Sequence, residues 1–281
     1  MAPVNHILVP VDYSACSLQA ARYAFHLASE IGARIHVLHV FNIPVVAADS
    51  YVYVPDPDEL EGMRKNNLDR MALMMNDVPT DRFPEQTYEL HCKYGTAPEQ
   101  ILEFIQEHAI EMVVMGLQGK GQLLERVAGS TTTLMFKKSP VPVLAIHPET
   151  TWSPVRNILL AYDMKPFANK AMFAPLVKLA QSFNAQIHVL NVTREMTEFP
   201  MLSQKLLDNH MDPALPEDST SYHVIEHQEI VEGIRNFTEQ NEMDWIVMVS
   251  RKHHLLEHLF EERTSKKAAY HLDLPLFALH D

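Results

Sequence analysis

The densest chemistry in the chain lies at Met115-Gly116-Leu117-Gln118-Gly119-Lys120-Gly121 and, a little further on, Gly129-Ser130-Thr131-Thr132-Thr133. The spacing is G-x2-G-x9-G-S. Without side chains, Gly116 and Gly119 let bare backbone approach a ligand and turn N–H groups toward anionic oxygens. Gly129-Ser130-Thr131 reads as the opening of a helix. Its unpaired N–H groups and positive dipole end form a phosphate site, with hydroxyls as extra donors. The chain has only eight glycines; four of them fall between Gly116 and Gly129, and only Gly233 lies beyond residue 150. One functional loop, in the first half, is the expectation. A P-loop is excluded, because Gly121 is followed by Gln122 rather than Lys-Ser or Lys-Thr. The bland alternative is an inherited turn, with Ser130 as an ordinary helix cap.

Five apolar runs position this loop. Ile7–Val11, Ile35–Val40, Tyr88–Cys92, Met112–Met115 and Val143–Ile146 read as strands, most of them apolar throughout, as strands covered on both faces should be. Leu18, Ala21, Ala24, Leu27, Ala28 and Ile31 recur at helical spacing. Ser14 or Ser17 caps that helix and Gly32 ends it. Pro98, Ile101, Leu102 and Ile105 mark another helix, and Glu59–Met75 a third inside the proline-interrupted segment from Asn42 to Gln86. This alternation predicts an α/β fold with a doubly wound parallel sheet. In strand order 3-2-1-4-5, strands one and four flank the switch point where ligands bind. Asp12 ends strand one and the glycine loop follows strand four. Asp12 can therefore accept hydrogen bonds from a ribose or a base amine.

The unit occurs twice. Val4–Asp12 matches Val155–Asp163 at an offset of 151, and Ala33–Val40 matches Ala185–Val192 at 152. Met112–Met115 matches Trp245–Met248 at 133, as does Pro140–His147 against Asp273–His280. A repeat this long is a duplicated domain. Two tandem five-stranded domains are expected, over residues 1–148 and 153–281. The second has lost the glycines: Gly116 corresponds to Val249, Gly119 to Lys252, Gly129 to Glu262 and Ser130 to Arg263. Asp163 remains, but one acid makes no nucleotide site. The second domain reads as structural, a pseudo-site.

The whole chain resembles the universal stress protein family in its tandem form. The resemblance rests on Val9-Pro10-Val11-Asp12-Tyr13-Ser14, Val37-Leu38-His39-Val40, Val114-Met115-Gly116, the glycine spacing, and Ser139-Pro140-Val141-Pro142-Val143-Leu144. It implies a five-stranded α/β sandwich whose ATP-binding members use this motif. It assigns adenine and ribose contacts to Asp12 and to the backbone around Pro10, Val11 and Val40. It assigns phosphate contacts to Gly116, Gly119, Gly129, Ser130 and Thr131, with Met115 and Gln118 as further nucleotide-binding positions. ATP, with or without Mg, is the implied cofactor. Gln118 departs from the basic or histidine side chain many members carry there, a change Lys120 can offset. The closing strands 141–146 and 274–279 are expected to pair within the chain, and two chains to form a dimer.

Composition narrows the function. The net charge of −13 repels phosphate backbones, so nucleic acid is not an expected partner. No apolar run reaches the ~18 residues of a membrane span, and Met1–His6 resembles no export signal. Two thiols, Cys16 and Cys92, make no disulfide framework and fit a reducing cytosol. His253, His254 and His258 have zinc-like spacing, but with 16 histidines and no nearby cysteine they read as solvated surface, and no metal is assigned. Cys16 reads as packing rather than a reactive thiol, Met63, Met71, Met74 and Met75 as core, and Ser130 and Thr131–Thr133 as capping hydroxyls rather than phosphorylation sites. The expectation is a cytoplasmic stress-response regulator that binds an adenine nucleotide in the first domain and acts on an unidentified protein partner. A slow ATPase and a ligand-free dimerisation scaffold are the alternatives.

Overall fold

The computed structural model describes residues 4–42, 47–48, 51–52, 55–78, 88–117, 130–163, 169–194, 215–250 and 274–280. Each apolar run becomes a strand. In the first repeat these are β1 (His6–Val11), β2 (Arg34–Phe41), a small hairpin of β3 (Ala47–Ala48) and β4 (Tyr51–Val52), then β5 (Tyr88–Tyr94), β6 (Met112–Gly116) and β7 (Val143–Ile146). Ser14 caps α1 (Ala15–Ile31) by accepting from Ser17 N at 3.1 Å, and Gly32 closes it in the left-handed region at φ 73°. Ala20, Ala21, Ala24 and Ala28 are all buried, so small side chains let α1 lie close on the sheet. Asp56 and Glu59 form a reciprocal capping box at the start of α2 (Pro57–Met75). Met71 and Met75 of α2 point into the core, as their spacing predicts. α3 (Ala97–Glu107) and α4 (Ser130–Lys138) complete this half.

The second repeat gives β8 (Asn157–Ala161), a 3-10 turn at Lys170–Phe173 leading into α5 (Ala174–Phe183), β9 (Gln186–Thr193), β10 (Thr220–Glu226), α6 (Ile230–Gln240), β11 (Trp245–Ser250) and β12 (Leu276–His280). One ten-stranded sheet runs β10-β9-β8-β11-β12-β7-β6-β1-β2-β5. Each half carries the expected order 3-2-1-4-5 and is parallel within itself. The halves meet antiparallel, with Leu276 opposite Ala145, Phe277 opposite Leu144 and Ala278 opposite Val143. Each half thereby covers the apolar edge the other would expose. The register also bears out the repeat offset: Gly116 pairs with Ile146, and Val249 with Leu279.

Buried and half-buried polar contacts tie the halves together. Trp245 Nε1 donates to Tyr23 Oη at 2.7 Å, and Ser250 Oγ and His280 Nε2 both donate to the Phe136 carbonyl. Trp152, in the connection, packs edge-on against Tyr23 and stacks on His26.

Candidate functional site

The carboxyl ends of β1 and β6 lie side by side, with Leu8 opposite Val113. Asp12, just past β1, and Gly116, last in β6, therefore share one rim of the sheet. Asp12 is exposed. Its Oδ1 accepts from Ser14 N at 3.0 Å and Ser14 Oγ at 2.6 Å, while its own N–H donates to Ser17 Oγ at 3.3 Å. Burial alone would raise its pKa, but the hydrogen bonds from Ser14 and Ser17 outweigh it and hold the carboxyl below its ordinary value. The group is ionised at neutral pH and can only accept, which suits hydroxyl or amine donors.

Gly116 has a tighter constraint than ligand approach. A Cβ there would lie 2.8 Å from the backbone C and O of Cys16 and from its Sγ. The missing side chain lets the first turn of α1 press against the end of β6. A side chain at this position would strain that packing, so the glycine is required by the fold whatever it does for a ligand. Cys16 Sγ donates to the Leu117 carbonyl at 3.0 Å, and Leu117 N donates to the Ile146 carbonyl at 2.8 Å. Burial, and then the Asp12 charge, push the Cys16 thiol up to about 11, so it is protonated packing, as read from the sequence.

The described part of α4 begins at Ser130. Thr132 Oγ1 donates to the Gly116 carbonyl at 3.0 Å and is buried, which pins the helix start beside the end of β6. Thr132 is thus committed, and Thr131 is half-buried. Gln118, Gly119, Lys120, Gly121 and Gly129 lie outside the described residues.

On the other side of Asp12, the Val11 and Met115 side chains are buried and Pro10 and Val40 half-buried, so these positions can offer mainly backbone. The Val11 carbonyl already accepts His39 Nδ1–H at 2.8 Å. Four residues here escaped the sequence reading. Tyr13 sits in the left-handed region at φ 64°. Its hydroxyl reaches the Asn67 carbonyl at 3.1 Å and Oδ1 at 3.2 Å, and its ring lies 4.3 Å from that of His39. The Arg70 guanidinium lies 4.0 Å over the Tyr13 ring. Burial pushes the Tyr13 hydroxyl up to about 12. The available signal was Tyr13 directly after Asp12, and Asn67 and Arg70 three apart on one face of α2.

The second repeat keeps the brace and changes the rim. Asn191 Nδ2 donates to the Tyr162 carbonyl at 2.9 Å, at the positions of His39 and Val11. Buried Val249 fills the place of Gly116. The helix above it starts later, at Ala174 after the 3-10 turn, where α1 starts at Ala15. Asp163 is half-buried. Lys252, Glu262 and Arg263, with His253, His254 and His258, lie outside the described residues.

Comparison with known proteins agrees with this fold. The profile of the universal stress protein family matches residues 3–147 and again 154–280. The chain belongs to that family, with the family unit present twice. It is 30% identical over 150 residues to universal stress protein YxiE of Bacillus subtilis, which covers 51% of this chain and 99% of that protein. It is 26% identical over 147 residues to universal stress protein MJ0531 of Methanocaldococcus jannaschii, covering 50% of this chain and 80% of that one. A crystal structure of a universal stress protein from Archaeoglobus fulgidus aligns over 98% of both chains, with a TM-score of 0.70 at 17% identity. At that identity the likeness concerns the fold. No helix among the described residues is long and apolar enough to cross a membrane.

Proposed function

We propose that the first repeat, residues 1–148, binds ATP or a related adenine nucleotide, with or without Mg, and that its occupancy regulates a cytoplasmic protein partner in a stress response. The second repeat, residues 153–281, completes the sheet and carries no nucleotide. One observation carries this reading: an ionised Asp12 sits on the same rim as the start of α4, at the switch point of the parallel sheet. An accepting carboxylate on one side suits ribose or base donors, and a helix N-terminus on the other suits phosphate. Arg70, exposed above the Tyr13 ring next in sequence to Asp12, adds a cation on this side of the rim. Binding regulates only if the two conformations differ in nucleotide affinity.

Asp12→Asn tests the site. The amide keeps an oxygen acceptor for Ser14, so the turn survives, while the charge is lost. Calorimetry should show ATP affinity reduced at least tenfold, with the melting temperature little changed. Equal affinity would remove Asp12 from the site.

A second reading has its own support. Packing against Cys16 alone accounts for Gly116, as it would in a ligand-free pairing scaffold. Melting in millimolar ATP separates the two: a ligand that binds the folded state raises the melting temperature, and a scaffold shows no rise.

A further inference from the structure

We propose that the first repeat holds a divalent transition metal, of the zinc class, on His36, His91 and Glu89, at the end of the sheet opposite Asp12. His36 Nδ1 lies 3.2 Å from His91 Nε2. Glu89 Oε2 lies 3.5 Å from His91 Nε2 and 3.9 Å from His36 Nδ1. All three groups belong to one cluster within ligand-sharing distance. A point equidistant from these three atoms lies about 2.1 Å from each, the bond length zinc makes to imidazole nitrogen and carboxylate oxygen. The rings agree: the His36 and His91 centroids are 5.4 Å apart, and two imidazoles on one tetrahedral ion stand about 5 Å apart. Three protein ligands leave a fourth position for water.

The surroundings favour a cation over a hydrogen-bonded pair. His36 is buried, between His6 on one side and His91 on the other. With Nδ1 on the ion, the remaining proton of His36 sits on Nε2 and is donated to His6 Nδ1 at 3.0 Å. Such an outer hydrogen bond fixes tautomer and ring orientation at metal-bound histidines. The Glu89 carboxylate is largely exposed, 59% by side chain, so it can swing onto the ion without repacking. Phe104 and His108 of α3 and its end wall the cluster, with His91 5.3 Å from His108 between ring centroids. His108 Nδ1 is buried without a hydrogen-bond partner. Lys93, also nearby, has its charge engaged by Glu107 and Glu103.

The second repeat supplies an internal contrast. His188 Nδ1 and His223 Nε2 stand at the same 3.2 Å, and Asn157 takes the place of His6. Ser221 occupies the position of Glu89, and its hydroxyl hydrogen-bonds both rings, at 3.0 Å and 2.9 Å. There a neutral hydroxyl closes the pair. In the first repeat a carboxylate charge remains to balance an ion. His36 is level with Leu8, four residues before Asp12 and about 13 Å along the strand, so the metal and nucleotide readings stand or fall independently.

The test uses the untagged full chain, stripped with a chelator and titrated with ZnCl2 by calorimetry and with CoCl2 by visible spectroscopy. The expected result is zinc affinity of micromolar or better, with the intense visible bands of four-coordinate cobalt. Glu89→Gln, at an exposed position, should weaken zinc at least tenfold and remove the zinc-induced rise in melting temperature. His91→Asn should do the same, and the pair His254→Ala and His258→Ala should leave binding unchanged. Undiminished binding in Glu89→Gln, loss that follows His254 and His258, or no binding by the wild-type chain at micromolar zinc would each overturn the proposal.

Discussion

Gly116 answers two demands at one position. The glycine spacing marks it as a place where backbone meets something closely, and the sequence reading supplied a phosphate. The structure supplies Cys16, whose backbone carbonyl carbon and oxygen lie 2.8 Å from where a Cβ would stand. Gly116→Val should therefore destabilise the fold by about 1–3 kcal/mol, the usual range for overpacking a tight site. A thermal melt checks this, and an unchanged melting temperature would show that α1 yields easily. Loss of ATP binding in that variant reports on folding as much as on the site, which is why Asp12→Asn is the cleaner probe. Asp12 was legible because it ends an apolar run. Tyr13, His39 and Arg70 were not, because their meeting depends on a left-handed backbone at Tyr13 and on where α2 packs.

At the level of elements, the boundaries follow local chemistry closely. Ser14, Gly32 and the Asp56–Glu59 box set helix ends through hydrogen bonds within a few residues. The closing strands behave differently. β7 is apolar on both faces and buried throughout, and its outer edge is satisfied by β12. Residues 1–148 expressed alone match the length of a single-unit relative, and they expose that edge. Such a fragment should dimerise through its own β7, replacing β12 with a second copy across a two-fold axis. Sedimentation should give twice the monomer mass for the fragment. A monomeric wild-type fragment would mean that the edge alone does not drive pairing.

The whole molecule carries a histidine-dependent response to acid. Burial and His91 lower the His36 pKa to about 4 from 6.5. His39, His91, His188, His223 and His280 are lowered as well, each chiefly by burial. The unfolded chain therefore binds more protons than the folded one between those pH values. Stability is full above pH 6.5 and falls as the pH drops toward 4. Urea denaturation in chelator at pH 7 and pH 4.5 should show the loss, and His36→Gln should flatten the dependence. A parallel slope in that variant would assign the effect elsewhere.

The chain's own residues determined the α/β class, the two units, the strand and helix positions, and the place of Asp12 at the end of the first strand. These follow from periodicity, capping and self-similarity, which act over a few residues or repeat along the chain. Only the tertiary structure decided which atoms face Gly116, and that His6, His36, Glu89, His91 and His108 gather at one end. Those residues come from β1, β2, β5 and the end of α3, far apart in sequence, and no spacing pattern links them. Parallel strand pairing brings them together, because register is set by burial of whole strand faces rather than by the polar residues those faces carry.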